Sequence, residues 1–188
     1  MPLRIPRTAA TLVVLVLLAA VSRLLPHPPN FGPLGAIALF GAAAFPRRWM
    51  AVAVTFGALY ASDLLLNNLL YADYYPGFYT GVNGWVYAGF GLTLLLGWAA
   101  LRGSKVSVKR LGSAATGATL LFFLVTNFGV WYGSGMYPAD GAGLLACYAA
   151  GLPFLLNSLL GNLFFTAVLF GAAHWLAQPA PQSRTVEG

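Results

Sequence analysis

The chain has 188 residues, 59% hydrophobic and only 7% charged, with a net charge of +6. A soluble domain carries roughly 25% charged residues, so ten basic and four acidic side chains cannot cover a water-facing surface of this size. Intrinsic disorder is excluded by the mean hydropathy of +0.76, which leaves an integral membrane protein.

Six apolar runs follow in chain order. Residues 8–25 form the first, long enough to span a bilayer. Arg4 and Arg7 before it resemble the start of a signal peptide. Arg23, Pro26 and His27 replace the small-residue cleavage site, so we read an uncleaved first helix. Residues 34–45, bracketed by Pro33 and Pro46, form a second run that is short for a span. The third is 49–66, the fourth 82–101 and the fifth 111–131. The sixth is 152–177, preceded by residues 141–150 as a separate half-helix. Residues 1–178 thus read as a single all-α transmembrane domain, a six-helix bundle with a short second helix. Residues 179–188 read as a flexible C-terminal tail.

Charge orients this bundle. With both termini cytoplasmic, nine of the ten basic residues fall inside, namely Arg4, Arg7, Arg47, Arg48, Arg102, Lys105, Lys109, Arg110 and Arg184. Arg23 falls outside with Asp73 and Asp140, which fits the positive-inside rule. If residues 34–45 do not cross, a five-span arrangement puts eight basic residues inside and two outside. We favour six spans in a bacterial cytoplasmic (inner) membrane, because a short helix can be accommodated by bilayer thinning. The basic residues flank apolar runs, so their partner is the lipid bilayer and not nucleic acid.

Small residues recur at helical spacing, as Ala53–Gly57–Ala61, Gly89–Thr93–Gly97, Ala114 with Ala118, and Ala167 with Gly171. Such rows let helices approach closely, either within the bundle or against a partner subunit. Cys147 is alone, and His27 and His174 lack ligand spacing, so neither a disulfide, a metal site nor a cofactor is expected. There is no G-x-S-x-G, H-E-x-x-H or phosphate-binding glycine loop, and no catalytic residue is assigned. The chain reads as a non-enzyme.

The three expected outer loops are different in character. Residues 23–33 are stiffened by four prolines; residues 67–84 carry four tyrosines and three asparagines; residues 131–143 begin W-Y-G-S-G. Aromatics interleaved with amides suit either an interfacial belt or a small-molecule pocket. Asp63, Asn127, Asn157 and Asn162 lie within apolar runs, where polar groups must be paired or face a cavity. Asp63 can cap a helix, pair with Arg23 or contact a ligand. The candidate ligand-binding set is Asn30, Phe31, Asp63, Asn83, Trp85, Asn127, Trp131, Tyr132 and Asn157.

Several segments carry a resemblance. They are N-F-G-P-L-G-A-I-A-L-F from Asn30, Ser62–Asp63, T-N-F-G-V-W from Thr126, M-Y-P from Met136, G-L-L-A-C-Y-A-A-G-L-P-F from Gly143 and N-S-L-L-G-N-L-F-F from Asn157. Together they resemble an uncharacterised family of small bacterial multi-span membrane proteins. The overall plan is similar to the substrate-binding S components of energy-coupling-factor vitamin transporters. That resemblance implies six helices and an outer ligand site built by the first, third and fifth loops and the last three helices. It also implies a transmembrane coupling subunit with ATPases as partner. The expected function is therefore binding of a vitamin-like or precursor small molecule for uptake. The alternative is a structural or assembly subunit of a larger membrane complex, with no ligand of its own.

Overall fold

The computed structural model describes residues 3, 5, 8–75, 77–102 and 106–178. The expected C-terminal tail, with Arg4, Arg7, Lys105 and Arg184, lies outside them. The described residues form six α-helices joined by turns and loops. These are α1 (Ala9–Val21), α2 (Leu34–Ala44), α3 (Arg48–Leu65), α4 (Gly84–Leu101), α5 (Val108–Gly133) and α6 (Gly141–Leu176). α1 tightens into a 3₁₀ turn at Ser22–Leu24, and α3 runs on into a π-type turn at Leu66–Leu70. Helices close their own backbone hydrogen bonds, which an apolar run requires when lipid surrounds it. The starts of α4, α5 and α6 coincide with polar caps. The Asn83 side chain accepts from the N–H groups of Trp85 and Val86, Ser107 from that of Arg110, and Asp140 from that of Gly143.

α3 with its π-type extension, α4, α5 and α6 are long and apolar enough to cross a membrane. The chain is a helical membrane protein at this level of description. The sixth helix departs from the expected division. Residues 141–150 and 152–177 are not separate; they form one 36-residue helix through Pro153. Proline removes one backbone donor, yet packing against α5 holds the turns just before it. The Tyr148 hydroxyl donates to the Leu124 carbonyl at 2.7 Å, and Gly151 faces Asn127 and Phe123.

Neighbouring helices run antiparallel. Trp85 meets Phe128 and Phe90 meets Phe122 along α4 and α5. Tyr148 meets Phe123, and Asn162 meets Ala115, along α5 and α6. Two small-residue rows lie inside: in Gly89–Thr93–Gly97 an added methyl on Gly89 would sit 2.7 Å from the Phe122 ring and one on Gly97 2.6 Å from the Ala42 side chain, and Ala114 and Ala118 are both buried. The other two, Ala53–Gly57–Ala61 and Ala167–Gly171, lie on the bundle surface.

The second helix is the exception in scale. Its 11 residues reach about 16 Å, half of a hydrocarbon core of about 30 Å. It is buried nonetheless: Ala36 to Phe40 are all fully enclosed. It starts beside Asn162, midway along α6, and Phe40 then stacks edge-on against Phe170 at 5.2 Å. α2 thus fills only the half of the bundle that ends in the basic residues. At that end Arg48 lies over the Trp98 ring, Arg102 donates to the Pro46 carbonyl at 3.0 Å and Leu3 donates to the Val106 carbonyl.

Candidate functional site

In the other half, the position above α2 is taken by the loop of residues 25–33 and by a cavity of about 630 Å³. The loop is built by its own residue types. The Phe31 N–H donates to the Pro28 carbonyl at 3.0 Å, with Pro29 and Asn30 between them. Asn30 has φ +62°, the left-handed conformation that asparagine tolerates best after glycine. Proline followed by a positive-φ residue is the pattern of a type II turn. The loop is then seated on α6: Asn157 Nδ2 donates to the Pro29 carbonyl at 3.0 Å, and Phe31 sits 5.9 and 5.8 Å from the rings of Phe164 and Phe165. Gly161 makes this seat possible, because a methyl there would lie 2.9 Å from the Gly32 nitrogen.

The cavity is polar at its mouth and mixed at its floor. His27, Asn30, Tyr71 and Asn83 line the exposed mouth, while Phe90, Thr93, Thr119 and Asn162 line the buried depth. On one wall Arg23 pairs with Asp63 at 2.8 Å and also bonds the Ser62 hydroxyl. The two side chains are 18% and 27% exposed, so neither charge is left alone in an apolar setting. Phe90 and Phe122 also line the cavity, their rings 4.6 Å apart.

Of the nine residues proposed from the sequence, Asn30, Asp63 and Asn83 line this cavity. The other six are placed differently. Phe31 and Asn157 fasten the loop to α6. Asn127 donates to the Phe123 carbonyl of its own helix and faces Gly151. Trp131 Nε1 donates to the Pro138 carbonyl at 2.9 Å. Trp85 and Tyr132 join Phe128 in a ring cluster, with Tyr132 72% exposed. Rings so placed at a helix end suit the membrane interface.

The candidate ligand-binding set does not include Arg23, Phe90, Thr93, Thr119, Phe122, Ser158 and Asn162, all of which line the cavity; of these, Asn162 and Arg23 stand out in the sequence only as a polar group that must be paired or face a cavity and as a partner for Asp63. A signal existed for part of this set. Ser158 and Asn162 stand four apart on one helix face, and Thr119 and Thr126 seven apart.

Searches against curated proteins and against solved structures return no match. The model of a family described as of unknown function, DUF6580, matches residues 4–183. The chain belongs to the DUF6580 family.

Proposed function

We propose that the chain is a membrane subunit that binds a small, vitamin-like or precursor molecule for uptake, with its pocket open to the outer face of the bacterial inner membrane. The observation that carries this reading is the cavity at the end of the bundle opposite the basic residues. Arg47, Arg48, Arg102, Lys109 and Arg110 lie at the α2–α3 and α4–α5 turns, away from it. Near the cavity the only described basic side chains are Arg23, paired with Asp63, and His27. The positive-inside rule then turns the cavity outward. Six crossings with cytoplasmic termini follow if α2 and the loop before it together make the second crossing. Irregular backbone at membrane depth is stable where it lines a wet cavity, and His27, Pro29, Asn30 and Gly32 of this loop line the cavity.

The same geometry supports a binding role over catalysis. The hydroxyls of Thr93, Thr119 and Thr126 each donate to a carbonyl of their own helix, so their protons are already committed. A similarity of plan to S components extends the reading to a coupling subunit with ATPases as partner.

The test is thermal unfolding of the purified full chain against a panel of vitamins and their biosynthetic precursors. A ligand at about a hundred times its Kd adds roughly 2.7 kcal/mol of stability, which raises the midpoint visibly. A folded protein that no compound stabilises, and that purifies in a stoichiometric complex with another subunit, would replace this reading with an assembly role.

A further inference from the structure

The basic end of the bundle carries charge that the protein does not balance there. Arg47, Arg48, Arg102, Lys109 and Arg110 lie at that end, whereas Asp63, Asp73 and Asp140 all lie at the opposite one. Among the described residues no acidic side chain stands near these cations.

Two of the arginines are held in one corner. α3 begins at Arg48, and Arg47 is the residue before it. The Arg48 Cζ lies 5.5 Å from the centroid of the Trp98 ring on α4. A guanidinium that stacks by its face keeps its N–H edge for an oxyanion. Arg102 Nη2 donates to the Pro46 carbonyl at 3.0 Å and so ties the α2–α3 turn to the end of α4. Arg102 positions the corner. Trp49 is 61% exposed beside it, and an exposed indole at the end of a spanning helix sits at headgroup level.

This corner is electrostatically unfavourable without an anion. The first turn of α3 has neither an acidic residue nor a side-chain cap. A helix start carries partial positive charge, so two arginines there add repulsion. In a bilayer the anion at this depth is the phosphodiester of an acidic lipid.

We propose that the corner between the α2–α3 turn and the end of α4 binds an anionic glycerophospholipid. Its phosphodiester oxygens accept from Arg47 and Arg48, its net negative charge offsets both, and its acyl chains run along the exposed apolar side of α3 that begins with Trp49 and Val52. The bound lipid links α3 to α4 and stabilises the half of the bundle that α2 seals. The site is separate from the cavity and holds whatever the cavity binds.

The test is made on the purified full chain, stripped of lipid in detergent, with phosphatidylglycerol, phosphatidylcholine or inorganic phosphate added. Phosphatidylglycerol is expected to raise the thermal midpoint by several degrees and to remain bound in native mass spectrometry. Phosphatidylcholine, with the same chains and no net charge, and inorganic phosphate, with no chains, should do neither. The double change Arg47→Gln with Arg48→Gln is expected to weaken phosphatidylglycerol binding about twentyfold or more. Lys109→Gln with Arg110→Gln removes the same charge from the same end and should weaken it far less. Arg48→Lys, which keeps the charge and loses the planar stack, should fall between. If the arginine double variant does not fold, Arg48→Lys and the lipid comparison decide. Equal stabilisation by phosphatidylcholine, or equal losses in the two double variants, means diffuse attraction to lipid and overturns the site. Inorganic phosphate that stabilises as well as phosphatidylglycerol assigns the corner to a soluble anion and overturns it too. A folded protein that phosphatidylglycerol does not stabilise overturns it outright.

Discussion

In the half of the bundle next to the basic end, α2 is wedged among α3, α4 and α6. In the other half its place is taken by a proline-rich loop and open space. The first half is sealed by methyl-scale contacts: Gly97 against Ala42, Gly41 against Ala51 and Thr55, and Phe40 against Phe170. The second is held by single polar ties, such as Asn157 to Pro29 and Arg23 to Asp63. The difference follows from one number. A helix of 11 residues cannot fill a bundle position of bilayer length. Its short length makes the cavity and also aims its uncapped first turn at the cavity floor. Stability and binding are therefore assigned to opposite halves of the same helices.

This contrast can be broken at either end. The largest effect is expected in the sealed half. Phe170→Ala removes a ring that is 1% exposed and should cost about 3 kcal/mol or more, read as a lowered thermal midpoint in detergent. Ligand affinity per folded molecule should stay the same, because the lost ring is far from the cavity lining.

The ion pair comes next. Asp63→Leu strands Arg23 in the cavity wall and should cost about 1–2 kcal/mol, less than a fully buried pair because both side chains keep some exposure. The double change Arg23→Met with Asp63→Leu should be milder than the sum of the singles. A double-mutant cycle by thermal unfolding measures that coupling.

Asn83→Ala removes the cap of α4 and should cost about 1 kcal/mol, while Asn83→Asp should retain most of it. The smallest effect belongs to the exposed ring cluster. Tyr132→Leu should change stability by less than about 0.5 kcal/mol and leave binding unaltered. A large loss of binding in that variant would move the site toward the aromatic cluster.

Much of the fold is visible in the residues themselves. The apolar runs mark the helices to within a few positions, because lipid demands closed backbone bonding. Asp63 and Arg23 are legible as partners, since two opposite charges near one boundary have few other neighbours. The division of residues 141–150 from 152–177 misleads, because tertiary contacts at Tyr148 and Gly151 hold one continuous helix through the expected break. The cavity lining was the least legible. These helices are apolar on every side, so no hydrophobic face distinguishes lipid from interior. Gly89–Thr93–Gly97 and Ala53–Gly57–Ala61 are alike as sequence, yet one lies inside and the other outside. Asn162 reads as one more interhelical amide, and only the structure places it in the cavity lining. The outer aromatics drew weight because they are abundant, whereas the cavity is lined by a few rings that sequence places mid-helix.

The central claim is that the loop-filled half holds a wet pocket reached from outside. Ser158 lines that cavity on α6. In a Cys147→Ala background, Ser158→Cys should react with a membrane-impermeant thiol reagent added to the outer face, since only a hydrated thiol ionises and reacts. Lys109→Cys, at the basic end, should react only once the inner face is exposed. A cysteine at position 158 that stays silent from outside, or that labels only from inside, would contradict the account.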